Sequence, residues 1–137
     1  SILMKITTRY IEDEIFEGTN ENGNTSRQDM RPADKKINLS PVETLLSCLA
    51  SCVAVEVVAI IKKKRKEFVD LIIEMDGTRR ETNPKSLTHI HMHIILVSPD
   101  TETTTLDKTV KLVLENYCSV ASSLKAPIEY TVEVKAS

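Results

Sequence analysis

The sequence has no excess of charge of either sign: 18 Lys and Arg stand against 20 Asp and Glu, for a net charge of −2. With a pI near 5.9, it lacks the basic footprint of a nucleic-acid-binding domain. It also lacks any uninterrupted apolar run of the roughly 18 residues that a membrane span needs. The best candidate, residues 45–61, is broken by Ser47, Ser51 and Glu56. The first four residues are short of a signal peptide and charges follow at once, so no export signal is expected. Cysteine is scarce, at three residues. Three cysteines without export point to reduced thiols in a cytoplasmic setting, where a disulfide is transient and chemical. Repeats, low-complexity tracts and dividing linkers are absent, so one domain over residues 1–137 is expected.

What is present is an ordinary globular balance, 41% hydrophobic and 28% charged, which argues against disorder. A chain this long can bury roughly two-thirds of its unfolded surface, enough for one core. Residues 2–10 and 14–17 carry strand formers with partial alternation, and residues 18–23, rich in Gly and Asn, mark a hairpin turn. Residues 25–30 fit a third strand and residues 31–39, with Pro32, a surface loop.

A long helix is expected next. Ser40 followed by Glu43 fits a capping box, with Pro41 at the first helical position where its missing N–H costs nothing. No Gly or Pro interrupts residues 42–66, and Lys62, Lys63, Lys64, Arg65 and Lys66 close the segment, where cations meet the negative end of the helix dipole. About 25 residues at 1.5 Å each make a helix roughly 37 Å long. Being apolar nearly all round from Leu45 to Ile61, it is expected to be buried and central. Residues 68–80 and 87–98 alternate as strands about a turn at Asn83-Pro84. Leu106, Val110, Val113 and Leu114 have helical spacing, a short helix over 119–124 follows Cys118, and residues 128–135 form a last strand. The order βββ–α–ββ–αα–β is an α+β fold, with antiparallel strands wrapped about one buried helix.

Three groups of residues could carry chemistry. Cys52 lies mid-helix among apolar neighbours, and Cys118 stands where a helix begins, a position that stabilises a thiolate. Either cysteine could instead be a small buried hydrophobe. Cys48, one turn before Cys52, is expected to be packing, because a Cys48–Cys52 disulfide strains an intact helix. Glu56, one turn after Cys52, opposes its ionisation if it faces the thiol. His89, His91 and His93 alternate on one strand and share a face. A polar strand face or dimer rim is expected there and no metal, since no carboxylate or Cys completes a recognised spacing.

The motifs Ser40-Pro41-Val42-Glu43 with Cys52, residues 87–93 (LTHIHMH), and Asn116-Tyr117-Cys118-Ser119-Val120-Ala121, in that order, resemble the OsmC/Ohr family (osmotically inducible protein C / organic hydroperoxide resistance) across nearly the whole chain, and within it a YhfA-like branch. The resemblance implies an intertwined homodimer with two central helices enclosed by sheets and active sites at the subunit interface. It implies that Cys52 attacks the peroxide O–O bond to become a sulfenic acid. Cys118 then condenses with it to a disulfide that a dithiol reductant, lipoyl-type in the Ohr branch, restores. It implies an antioxidant peroxidase needing no cofactor. In the Ohr branch the residue after the helix-opening Pro is a Glu paired with a catalytic Arg. Val42 stands there in this chain, with Glu43 one residue on, and Arg27 and Arg31 are the candidate arginines. The residue after the second Cys is commonly Pro in the family; here it is Ser119. Two other readings stand beside the peroxidase: a small-molecule or acyl-binding protein of the same fold, and a thiol or sulfur-transfer protein that uses Cys52 without peroxide.

Overall fold

The computed structural model describes residues 1–137, in the order βββ–α–ββ–αα–β. Its contacts divide the chain into two compact units, Ser1–Leu45 and Leu46–Ser137.

The first unit is built on an antiparallel sheet of β1 (Thr7–Glu12), β2 (Ile15–Thr19) and β3 (Thr25–Asp29). The expected first strand starts later than residue 2. The turn joining it to β2 is only Asp13 and Glu14, both left-handed at φ 37° and 64°. Positive φ at both turn residues gives the hairpin a twist that matches its strands. The expected Gly/Asn turn is the second one. Asn20 Oδ1 accepts from the N–H groups of Asn22 and Asn24 at 3.0 and 2.9 Å, and Gly23 takes φ 85°, which glycine adopts at little cost.

Only Ile15 and Asp29 are buried in this unit. Asp29 is an acceptor hub: Arg31 donates to it through Nε at 3.1 Å and Nη2 at 2.8 Å. The backbone N–H groups of Arg31, Ile37 and Asn38 donate to it at 3.0, 3.0 and 3.3 Å. A buried carboxylate with that many donors stays charged, and it pins both ends of the 31–39 loop. The loop delivers the chain to α1 (Pro41–Lys63) through the expected capping box. The Ser40 N–H donates to Glu43 Oε1 at 2.9 Å and the Glu43 N–H to Ser40 Oγ at 3.2 Å.

The second unit holds the core. β4 (Asp70–Arg79), β5 (Leu87–Val97) and β6 (Ile128–Lys135) form a sheet in that order, β4 antiparallel to β5. The β5–β6 pairing is parallel, which corrects the expectation of antiparallel strands throughout. A parallel neighbour requires a long crossover, and the chain supplies one as α2 (Thr103–Asn116) and α3 (Ser119–Ser122). Alternate residues of β5, Ile90, Met92, Ile94 and Leu96, face a cluster completed by Leu49, Val53, Val57 and Ile61 of α1 and Leu106, Val110 and Val113 of α2. Gly77 on β4 admits this packing: a Cβ there would lie 2.9 Å from Leu46 Cδ1 and 2.8 Å from Leu87 Cδ2.

By length and composition α1 could cross a membrane, yet its i, i+4 stripe packs into the core as a core helix does. Burial stops at that stripe. Leu45 and Val55 are 37% and 63% exposed, so the helix is not buried all round within one chain. It also ends earlier than residue 66. Arg65 turns left-handed at φ 60°, while the N–H groups of Arg65 and Lys66 close back on the carbonyls of Lys62 and Ile61, a Schellman stop.

Candidate thiol site

Cys52 precedes the buried Val53 on α1, so it stands at the edge of the core stripe, partly buried. Cys118 follows the end of α2. Its N–H still bonds the Val113 carbonyl at 2.9 Å, but its backbone is extended, at φ −82° and ψ 102°, and it caps α3. The Ala121 N–H donates to its Sγ at 3.4 Å, and the residue is 3% exposed.

This turn brings the backbone N–H groups of Val120 and Ser119 and the thiol of Cys118 near enough to Cys52 to stabilise its ionised sulfur. Hydrogen bonds to the ionised form favour it. The Val120 N–H contributes most to holding the Cys52 thiol below its ordinary value, against desolvation. The Cys118 thiol and Ser119 N–H add to it, and the Glu56 carboxylate opposes it least. Cys118 moves the other way. Burial pushes its thiol up, and the neighbouring Cys52 thiolate adds to that, while the Ala121 N–H works against both. The helix-start position that favours a Cys118 thiolate is therefore outweighed by burial. At Cys52 the apolar surroundings act upward as expected, but amide donors that the residue pattern did not reveal outweigh them. One hint was available: Ser119 supplies an N–H that a proline, common at this position in the family it resembles, does not have.

The result is a reduced pair in one site, Cys52 biased toward thiolate and Cys118 toward thiol. Chemically, such a pair offers a nucleophile and, beside it, a second sulfur able to form a disulfide with it. Cys48, expected to be packing, is exposed in the single chain.

The other candidates have local partners. Arg27 on β3 donates through Nε to Glu17 Oε2 at 2.8 Å, and Arg31 is engaged with Asp29 at 2.8 Å. Glu43 closes the helix cap, with Lys36 Nζ at 3.9 Å. His89, His91 and His93 do share the outer face of β5. His93 Nδ1 lies 2.6 Å from Thr131 Oγ1 and its Nε2 3.1 Å from Glu133 Oε1. No three His, Cys, Asp or Glu side chains converge as a metal-ligand group.

A family model described as OsmC-like protein matches residues 33–133. Protein YhfA of Escherichia coli strain K12 is 32% identical over 128 residues, covering 93% of this chain and 94% of that one. The crystal structure of a hypothetical protein from Aquifex aeolicus VF5 matches with a TM-score of 0.85 at 29% identity, over 98% of each chain. The organic hydroperoxide resistance protein OhrB of Bacillus subtilis matches with a TM-score of 0.62 at 15% identity, again over 98% of each chain.

Proposed function

The chain belongs to the OsmC-like family, and on that premise we propose that it is a thiol-dependent peroxidase reducing organic hydroperoxides in a cytoplasmic, reducing setting. The observation that carries this reading is the juxtaposition of two free thiols, Cys52 packed against the core cluster that holds Cys118, with the Val120 and Ser119 amides favouring the Cys52 thiolate. The name of the OhrB neighbour points to the same substrate class.

In the proposed cycle the Cys52 thiolate attacks the distal oxygen of ROOH. The S–O bond forms as the O–O bond breaks, RO⁻ takes a proton to leave as the alcohol, and Cys52 becomes a sulfenic acid. The Cys118 sulfur then attacks Cys52, giving a Cys52–Cys118 disulfide and water. A dithiol reductant, lipoyl-type or similar, exchanges with the disulfide, returning both thiols and becoming a disulfide itself. No cofactor enters the cycle.

The working unit in this reading is a homodimer. Leu45 and Val55 on α1, with Ile2, Leu3 and Met4 at 94%, 79% and 80% exposure, are apolar surface for a second copy to cover.

The deciding experiment is stopped-flow mixing of reduced protein with cumene hydroperoxide and with hydrogen peroxide, followed by thiol counting and peptide mapping. Two thiols per chain are expected to disappear into one Cys52–Cys118 link, leaving Cys48 free. Cys118→Ser should stall as a dimedone-reactive sulfenic acid at Cys52, and Cys52→Ser should fall to background. Absence of hydroperoxide consumption by the wild type overturns the proposal, and dimedone trapping at Cys118 in Cys52→Ser reverses the roles.

A further inference from the structure

The outer face of the β4–β5–β6 sheet is unused by the thiol chemistry, and it is unusually rich in potential ligands. Register sets Glu74 of β4 opposite His93, with Thr131 of β6 on the other side of it. Asp76 and Glu129 likewise flank His91. The carboxylates that the linear sequence did not place beside the histidines are brought there by strand pairing.

Within this face one pair is already set. His93 Nε2 and Glu133 Oε1 stand 3.1 Å apart. In a tetrahedral zinc site with bonds of about 2.0–2.1 Å, the edge between a nitrogen and an oxygen ligand is roughly 3.3 Å. The two atoms are thus separated almost as two ligands of one ion are. Thr131 adds the outer partner that metal-bound imidazoles use. Its Oγ1 is 2.6 Å from Nδ1, where it can accept an Nδ1–H, and that leaves Nε2 with a free lone pair. The side chains of His93 and Glu133 are 31% and 43% exposed, so an ion could reach them from solvent.

We infer that His93 and Glu133 form the core of a surface site for a borderline divalent transition metal such as Zn²⁺. Glu74, exposed and directly across from His93, swings in as the third ligand, and water completes the tetrahedron. Imidazole and carboxylate together suit Zn²⁺ better than the all-oxygen preference of Mg²⁺ or Ca²⁺.

The test is equilibrium dialysis of reduced, chelator-treated protein against Zn²⁺, with visible absorption of the Co²⁺ form to identify the ligands. One ion per chain is expected, and the Co²⁺ spectrum should lack thiolate-to-cobalt charge transfer. His93→Ala and Glu133→Gln should each weaken binding at least about tenfold, and Thr131→Val, which leaves every ligand in place and keeps a strand-favouring side chain, should also do so by about tenfold. Absence of stoichiometric binding, affinity unchanged in all three variants, or a thiolate charge-transfer band would each overturn the site, the last by moving the metal to the cysteines.

Discussion

The two units of this chain are stabilised in different ways. Residues 46–137 bury a contiguous apolar cluster drawn from α1, β5 and α2, with Cys118 in it and Cys52 against it. Residues 1–45 bury one hydrophobe, Ile15, and one carboxylate, Asp29, and leave Tyr10, Phe16, Met30 and Ile37 exposed. A three-stranded sheet with so little covered surface gains little from the hydrophobic effect within one chain. The comparison separates a unit that buries an apolar core of its own from one organised by a polar hub.

The sharpest contrast is in core substitution. Ile94→Ala, in the second unit, removes a wholly buried side chain and should cost about 2–5 kcal/mol. Phe16→Ala, in the first, removes a 39% exposed ring that meets the Tyr10 ring edge-on, with centroids 5.7 Å apart. In dilute protein it should cost less than the Ile94 change, because more than a third of the ring is already in water. Denaturant unfolding measures both. If a second copy covers the first unit, the Phe16→Ala cost grows with protein concentration while the Ile94→Ala cost stays large throughout. Equal costs at every concentration would erase the distinction.

Acid should then act on the first unit before the second. Arg31 and the surrounding amides hold the Asp29 carboxyl well below the ordinary carboxylate range. Because the folded value is depressed, its contribution is fully present above the unfolded value of about 3.9 and is lost as pH falls from there toward the folded one. Asp29→Asn removes that contribution at neutral pH. The protection factors of the amides in residues 30–39, each taken against the intrinsic rate at the same pH, should therefore fall on acidification in the wild type and already be low in Asp29→Asn. Arg27→Ala breaks only the exposed pair with Glu17, worth about 1 kcal/mol or less, and should leave those factors unchanged. A wild-type loop whose protection factors do not fall at all as pH drops below ~3.9 contradicts this account of the hub.

How much was legible beforehand follows the same division. The capping box at Ser40 and Glu43, the alternation of β5 and the helical spacing of Leu106, Val110 and Val113 are local patterns, and each reports on its own element. The Asp13–Glu14 turn was missed because it contains neither Gly nor Asn, the usual marks of positive φ. The parallel β5–β6 pairing and the one-sided burial of α1 depend on partners far along the chain, which periodicity alone does not reveal. Both thiols were visible as residues, and the resemblance paired them. Their opposite shifts were not visible, because backbone N–H groups carry no letter in a sequence.

That last gap supports the smallest and most selective test, which asks whether the second unit tunes Cys52 by itself. Ser119→Pro removes one donor N–H and little else. Position 119 opens α3, a first helical residue where proline is favoured. Cys118 before it is already extended at ψ 102°, as a residue preceding proline prefers. The Ser119 carbonyl, which accepts from Ser122 and Ser123 Oγ at 2.9 and 2.8 Å, is retained. The fold should stay intact, and the Cys52 titration midpoint, followed by thiolate absorbance or alkylation rate, should rise. The rise should be modest, because the Val120 N–H, the larger contributor, remains. Below the midpoint a smaller thiolate fraction reacts, so oxidation slows at neutral pH and recovers at higher pH. The rival account places activation on a guanidinium from the first unit. Arg27→Ala or Arg31→Ala would then slow Cys52 oxidation at least about tenfold, equivalent to 1.4 kcal/mol, while Ser119→Pro would leave the midpoint where it was. That pair of results would move the control of the thiolate from amides of the second unit to arginines of the first.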